Sequence, residues 1–201
     1  MSDFLLRKIN LCGDWYLSGG GFYNIPARVP GCVHTDLLAN NLIEDPYFAD
    51  NEKKLTWIGE TDWSYERYFN VEPDIANSKN VILRCEGLDT LASVYINGNK
   101  IGEADNMFRI WEFDVKNHVK CGQNHIRIVF HSTITYIREK AKKRKLWHTG
   151  IGHHRIEDSN QIRKMQCNFG WDWGPMLVTC GIWRNLEIQA YNDVRIEDIH
   201  I

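Results

Sequence analysis

The sequence predicts an all-β fold, a two-sheet sandwich or jelly roll trimmed with short helices. Three observations carry that expectation. Short runs of alternating apolar and polar side chains recur along the chain, an Asn97-Gly98 pair sits between two of them, and only two segments have helical spacing.

The elements follow in chain order. Residues 35–41 read as a short helix, with Thr35 or Asp36 as its cap, Leu37-Leu38 as its apolar step and an Asn-rich stop. Residues 63–71 set Trp63, Tyr65, Arg67 and Phe69 against Ser64, Glu66 and Asn70, the period of a half-buried strand. Residues 81–85 form a compact apolar strand. Residues 91–96 then run into Asn97-Gly98, with Lys100-Ile101-Gly102 beyond. A type I′ turn needs positive φ at both central residues, which Asn-Gly supplies, so these two runs form a hairpin. Residues 109–115 and 125–130 continue the strand pattern. Residues 133–145 are the longest helical candidate, with Ile134, Ile137 and Ala141 on one side, and 183–191 make a late strand with Ile182, Leu186 and Ile188 packing one way. Asn192-Asp193 break that strand. Strict alternation then resumes from Val194 to Ile201, which reads as a fresh strand. There is no internal repeat and no low-complexity segment.

Composition narrows the function. With 201 residues, 43% of them hydrophobic, the chain suits one sizeable core. A formal net charge of −2 leaves no global field for nucleic acid or an anionic membrane. The basic run Arg138, Lys140, Lys142, Lys143, Arg144 and Lys145 reads as a solvated helix face, so no nucleic-acid partner is expected. No stretch approaches the roughly 18 apolar residues of a membrane span. The start, Met1-Ser2-Asp3-Phe4-Leu5-Leu6-Arg7, lacks a basic-then-apolar leader, and the six cysteines show no Cys-x-x-Cys pair, so free thiols in a reducing cytoplasm are expected. No His or Asp arrangement supports Cys167 as a nucleophile. His148, His153 and His154 lie close together, with His125 and His131 upstream, but adjacent His153 and His154 point to opposite faces of an extended chain. Neither metal nor cofactor is expected.

The stretch that carries chemistry runs from Arg163 to Pro175. It sets Asp172 between Trp171 and Trp173, flanked by Gly170 and Gly174. An indole face stacks on the C–H face of a sugar ring, and a carboxylate accepts hydrogen bonds from adjacent hydroxyls, so the segment reads as a saccharide-contacting loop. A plainer role also fits, with both indoles filling a core and Asp172 capping a turn. Arg163, Gln166 and Asn168 are further candidates. They can bond a hydroxyl, orient Asp172 or satisfy backbone groups within the loop. Trp57, Trp63 and Trp111 read as packing residues.

Residues 166–175, followed by Gly181-Ile182-Trp183-Arg184, resemble the signature of β-mannosidases of glycoside hydrolase family 2. Upstream blocks agree and stand in the same order: 29–38 with Pro30, Gly31, Val33, His34 and Thr35, then Ile43-Glu44-Asp45-Pro46-Tyr47, then 57–65 with Trp57, Ile58 and Gly59. The Pro-Gly-x-Val-His-Thr and Trp-Ile-Gly blocks occur broadly in the family, whereas Phe169-Gly170-Trp171-Asp172-Trp173-Gly174-Pro175 is the mannosidase-like part. The resemblance implies a galactose-binding-like jelly roll over 1–191, and in 192–201 a linker with the first strand of a following immunoglobulin-like domain. It implies a parent enzyme that removes terminal non-reducing β-D-mannose with retention, its two catalytic glutamates lying on a later (β/α)₈ barrel. Retaining hydrolysis needs two carboxyl groups about 5–5.5 Å apart, and no local spacing here nominates a pair. The fragment alone is therefore expected to be inactive, with no catalytic residue of its own. By the same resemblance Trp171, Asp172 and Trp173 wall the −1 subsite, His34 ties down its loop, and the partners are β-mannosides or manno-oligosaccharides together with the barrel and immunoglobulin-like domains.

Three other readings remain open at this point. The same scaffold serves related family 2 glycosidases such as exo-β-glucosaminidases. A jelly roll also suits a stand-alone carbohydrate-binding module, and an exposed aromatic loop suits a protein-docking module.

Overall fold

The computed structural model of the protein describes residues 6–147 and 156–201; His148, His153 and His154 lie outside them. The strands are β1 (Arg7–Asn10), β2 (Gly13–Gly19), β3 (Phe22–Val29), β4 (Trp63–Val71), β5 (Asn80–Cys85), β6 (Leu88–Asp89), β7 (Ala92–Ile96), β8 (Asn99–Ala104), β9 (Trp111–Asp114), β10 (Gly122–Phe130), β11 (Gly181–Ile182) and β12 (Leu186–Tyr191). They form a six-stranded sheet in the order β3-β2-β4-β10-β7-β8, a four-stranded sheet β1-β12-β5-β9 and a two-stranded ladder β11-β6. The expected all-β architecture with short helical insertions is the one observed.

Alternation builds the inner faces. In β4, Trp63, Tyr65, Phe69 and Val71 are buried while Asn70 is exposed, and the strand pairs antiparallel with β10, placing Tyr65 beside Ile128. Arg67 shares the inward parity, and its guanidinium donates to the carbonyls of Leu11 (2.7 Å) and Cys12 (3.0 Å). The four-stranded sheet contributes Val81, Leu83, Leu186, Ile188 and Ala190 to the same apolar cluster. One core therefore lies between the two sheets, as in a sandwich. The β7–β8 hairpin turns at Asn97 (φ 50°) and Gly98 (φ 83°), the two positive φ values that a type I′ turn demands.

Several boundaries differ from the sequence reading. The first helix, α1 (Val33–Ala39), starts two residues early and is capped at Cys32, with Thr35 inside it returning a hydroxyl hydrogen bond to the Cys32 carbonyl at 2.7 Å. Asp36 is a buried tie and no cap: it accepts from the Arg28 N–H (2.9 Å) and the Tyr65 hydroxyl (2.7 Å). Two single-turn helices follow, α2 (Thr56–Gly59) and α3 (Pro73–Ala76). The long helix α4 (Thr133–Lys143) has its N-terminus held by the Ser132 hydroxyl, which accepts from the Thr135 N–H at 3.1 Å. The expected 183–191 strand begins only at Leu186 as β12, while Gly181–Ile182 form the separate short strand β11. Between them the Trp183 N–H donates to the Gly87 carbonyl at 3.1 Å, and its ring lies 4.1 Å from the Arg184 guanidinium. Residues 194–201 form no strand and join none of the three sheets, and their apolar side chains stand exposed. Alternation marks two faces, but a strand also needs a neighbour to complete its hydrogen bonds.

β12 lies between β1 and β5, and β1 runs antiparallel to it with Arg7 opposite Ala190. The first and last strands of the sandwich are therefore neighbours.

Candidate functional site

The loop from Arg163 to Cys180 is built from its stem outward. On the entry side Arg163 forms an isolated bridge with Asn106, its carbonyl accepts from the Met107 N–H (3.1 Å), and the Met165 N–H points at the Met107 sulfur (2.9 Å). On the exit side the Val33 N–H donates to the Cys180 carbonyl and the Gly31 N–H to the Ile182 carbonyl, each at 2.9 Å. The backbones touch there: at Gly181 (φ 153°) a Cβ would lie 2.7 Å from the Gly31 carbonyl oxygen, so only glycine closes this junction.

Between the two sides sits Lys164, 2% exposed, with its ammonium 2.6 and 2.5 Å from the two Asp89 oxygens and 2.9 Å from the Thr179 carbonyl. Thr90 donates to the same Asp89 carboxylate. The loop then makes a 3-10 turn over Gln166–Phe169, which plants Phe169 in a second apolar cluster with Leu91, Ile134, Ile137, Ile162 and Val178. Gly170, at φ 100°, turns the chain out of that cluster. Gly174, the other flanking glycine, is not among the glycines with positive φ. Further on, the Met176 N–H donates to the Glu52 carboxylate at 2.5 Å.

The tip carries the predicted trio. Trp171 is half-buried, Asp172 is exposed and Trp173 is 75% exposed, with the two indole rings 6.3 Å apart at 52°. Core filling thus fails as the role of Trp173. The three other predicted residues do not converge with them to the same degree. Gln166 is committed to the stem: its oxygen accepts from the Ser159 hydroxyl (3.1 Å), and its nitrogen donates to the carbonyls of Ser159 (3.1 Å) and Lys164 (3.2 Å). Asn168 is half-buried on the 3-10 turn, and Arg163 is exposed at the entry. Trp63 and Trp57 pack in the core with ring centroids 5.9 Å apart, and Trp111 stacks on Phe113 at 6.4 Å.

His34 does not tie its loop by hydrogen bonds. It is 6% exposed, neither ring nitrogen has a partner among the described residues, and burial, with the nearby Lys164 charge second, lowers its pKa to about 4. It is a neutral packing residue at physiological pH. Cys85 and Cys180 are buried thiols whose pKa burial pushes up. Among the described residues no group of three or more His, Cys, Asp or Glu is placed to hold a metal.

A separate cleft of about 730 Å³ is lined in part by Asp62, Ser93, Glu103, Asp105, Trp111 and His131. Within it Ser93 Oγ lies 2.9 Å from His131 Nε2, and His131 Nδ1 lies 3.2 Å from Asp62. That connectivity resembles a nucleophile relay. However, Ser93 is a buried mid-strand residue, and the carboxylate lining opposes the oxyanion such a relay would create. The cleft does not include the loop tip.

Sequence reasoning passed over Lys164, Asp89 and Glu52. Asp89 carried the one usable signal, a carboxylate inside the apolar run Leu88-Asp89-Thr90-Leu91.

A family model described as the glycosyl hydrolase 2 galactose-binding domain-like family matches residues 15–184. The β-mannosidase of Bos taurus is 40% identical over 191 residues, covering 92% of this chain and 22% of the relative. The β-mannosidase of Mus musculus is 35% identical over 194 residues with the same 22% share. The chain thus spans about a fifth of the length of these relatives. Among solved structures, a β-D-mannosidase from Dictyoglomus thermophilum superposes with a TM-score of 0.86 at 36% identity, over 96% of this chain and 23% of that one. The exo-chitosanase of Amycolatopsis orientalis shares the fold alone, with a TM-score of 0.61 at 16% identity, over 92% of this chain and 21% of that one.

Proposed function

Because the chain belongs to the glycosyl hydrolase 2 galactose-binding-like family, we propose that it is the non-catalytic amino-terminal domain of a retaining exo-β-mannosidase and supplies one wall of the terminal-sugar pocket. The observation that carries this reading is the loop tip, where an exposed carboxylate stands between two indoles on a stem buried in the core. A loop without that stem would spend binding energy on its own ordering.

The chemistry of the wall follows from the residue types. Trp171 and Trp173 offer apolar faces to the C–H face of a pyranose. Asp172 accepts hydrogen bonds from ring hydroxyls remote from the scissile bond, each worth about 1.5–3 kcal/mol when charge-assisted and partly dry. Closing the pocket behind one terminal sugar enforces removal of single residues from the non-reducing end. The acid/base and nucleophile belong to a barrel elsewhere in the polypeptide, so the wall acts by positioning, and by favouring ring distortion where its bonds tighten toward the transition state. In the same proposal, residues 194–201 begin a following immunoglobulin-like domain. Support comes from the alternation and from the exposed Val194, Ile196 and Ile199. Unbonded cysteines are in keeping with a cytoplasmic setting.

The test is Asp172→Asn in the full polypeptide, assayed on an aryl β-D-mannopyranoside. One lost charge-assisted bond predicts a fall in kcat/KM of roughly 10- to 150-fold. A value within twofold of the parent sinks the pocket-wall reading. A rise in KM with unchanged kcat keeps the wall but removes its part in ring distortion.

A further inference from the structure

The loop that carries Trp171, Asp172 and Trp173 leaves the core at Lys164 and returns to it at Thr179, and one ammonium group reaches both ends. Its three N–H donors face three acceptor atoms, the two Asp89 oxygens at 2.6 and 2.5 Å and the Thr179 carbonyl at 2.9 Å. Asp89 belongs to β6 and stands opposite Gly181 of β11, so the pair also ties the stem to the sheet that receives the chain. The other half of the stem is set by Gln166, which spans Ser159 and the Lys164 carbonyl. Several other ion pairs in the molecule, such as Arg28 with Asp14 and Lys54 with Glu44, are exposed and close no loop of this kind.

Ion pairs in such surroundings contribute little net stability relative to apolar packing, because desolvation offsets attraction. What they fix is geometry, since an ammonium with every donor occupied tolerates little displacement. We propose that Lys164 is a positioning residue for the sugar pocket: clamped between Asp89 and Thr179, it sets the spacing and pitch of the loop stem and thereby the placement of Asp172 and Trp171 against the substrate. It touches no sugar itself. The inference rests on the reading of residues 171–173 as a pocket wall. A misplacement of about 1 Å at a reacting site costs roughly 100-fold in rate, so a stem defect reaches turnover from this distance.

The experiment uses the full polypeptide and an aryl β-D-mannopyranoside. Lys164→Met alone leaves a buried, unpaired carboxylate, so the decisive protein is the double variant Lys164→Met with Asp89→Asn, which removes both charges. Its expected behaviour is a melting temperature recovered most of the way from that of Lys164→Met, and a kcat/KM still at least about tenfold below the parent, with part of the loss in kcat. Added on top of Asp172→Asn, the same double change should cost little more, because both act through one contact. A folded double variant within twofold of the parent overturns the proposal, as does full additivity with Asp172→Asn. Failure of Asp172→Asn alone to reduce kcat/KM overturns both this inference and the pocket-wall reading, whereas an effective Asp172→Asn beside a neutral stem variant overturns this inference only. Amide exchange in the unmodified protein gives a readout that needs no variant: residues 179–181 should exchange far more slowly than 194–201, and equal rates overturn the proposal.

Discussion

Two of the stretches outside the sheets that present large apolar side chains to solvent, the loop tip at 171–173 and the segment 194–201, do so for opposite reasons. The tip is exposed after its stem has been fixed: Phe169 is fully buried, Lys164 and Gln166 span the base, and Glu52 holds the return through Met176. The later segment is tied inward, among the described residues, through Arg195, whose guanidinium donates to Gln189 at 2.8 Å and pairs with Glu112, while Ile196 stands 78% exposed. Exposure with an anchored backbone is what the proposed pocket wall requires. Exposure of an alternating run with no ladder is what the proposed first strand of a following domain would show. The same hydropathy signal thus carries two meanings, separated only by what holds the backbone.

The sharpest way to break that contrast is to remove the anchor. Phe169→Ala empties a fully buried site in the second cluster and should destabilise the fold by about 3–5 kcal/mol, read by denaturant unfolding. A loss below about 1 kcal/mol would mean that the loop has no anchor and that the two stretches are alike.

Acid probes the same stem more gently. His34 is depressed to about 4 in the fold against an ordinary 6.5, so the unfolded chain binds its proton first as pH falls. Its contribution is therefore fully present above about pH 6.5 and is lost progressively down to about pH 4, by an amount on the order of 3 kcal/mol. In His34→Gln that part of the acid slope should vanish. Asp36, whose carboxyl is raised by burial, titrates in both proteins and cancels in the comparison. Identical slopes would remove His34 from the account.

The smallest effect is expected at the other stretch. Ile196→Ser should shift stability by less than about 0.5 kcal/mol, since its side chain has little burial to lose. A larger loss would show that the segment is packed after all and would erase the contrast.

Much of the sandwich was legible because its inner faces follow period two: Trp63 to Val71 reads as a strand from Trp63, Tyr65 and Phe69 alone, and Asn97-Gly98 announces its hairpin. The opening strands β1 to β3 were not legible. β3 carries Pro26, tolerable because β3 is the sheet edge, and β2 ends at Gly19, so the alternate burial in both (Trp15 and Leu17; Ile25, Ala27 and Val29) is masked in the sequence by outward-facing Tyr16 and Pro26. At the candidate site, the trio Trp171, Asp172 and Trp173 was legible as a group from side-chain chemistry, and the fold gathers its members at one loop tip. The stem was not. Lys164 and Asp89 are 75 positions apart, and nothing near Lys164 signals that a cation will be buried there. Gln166 looked like a ligand for sugar and is a brace, because an amide serves either use and only its partners decide.

The pairing of β1 with β12 has a mechanical consequence. Because Arg7 lies opposite Ala190 in an antiparallel ladder, the chain enters and leaves the sandwich at the same corner. Tension applied through the two ends would peel that ladder one hydrogen-bonded pair at a time, the weak loading geometry for strands, while the Lys164 stem and the six-stranded sheet would bear none of it at first. Stretching should therefore give an early, low-force release of β1 with the 163–180 loop still in place.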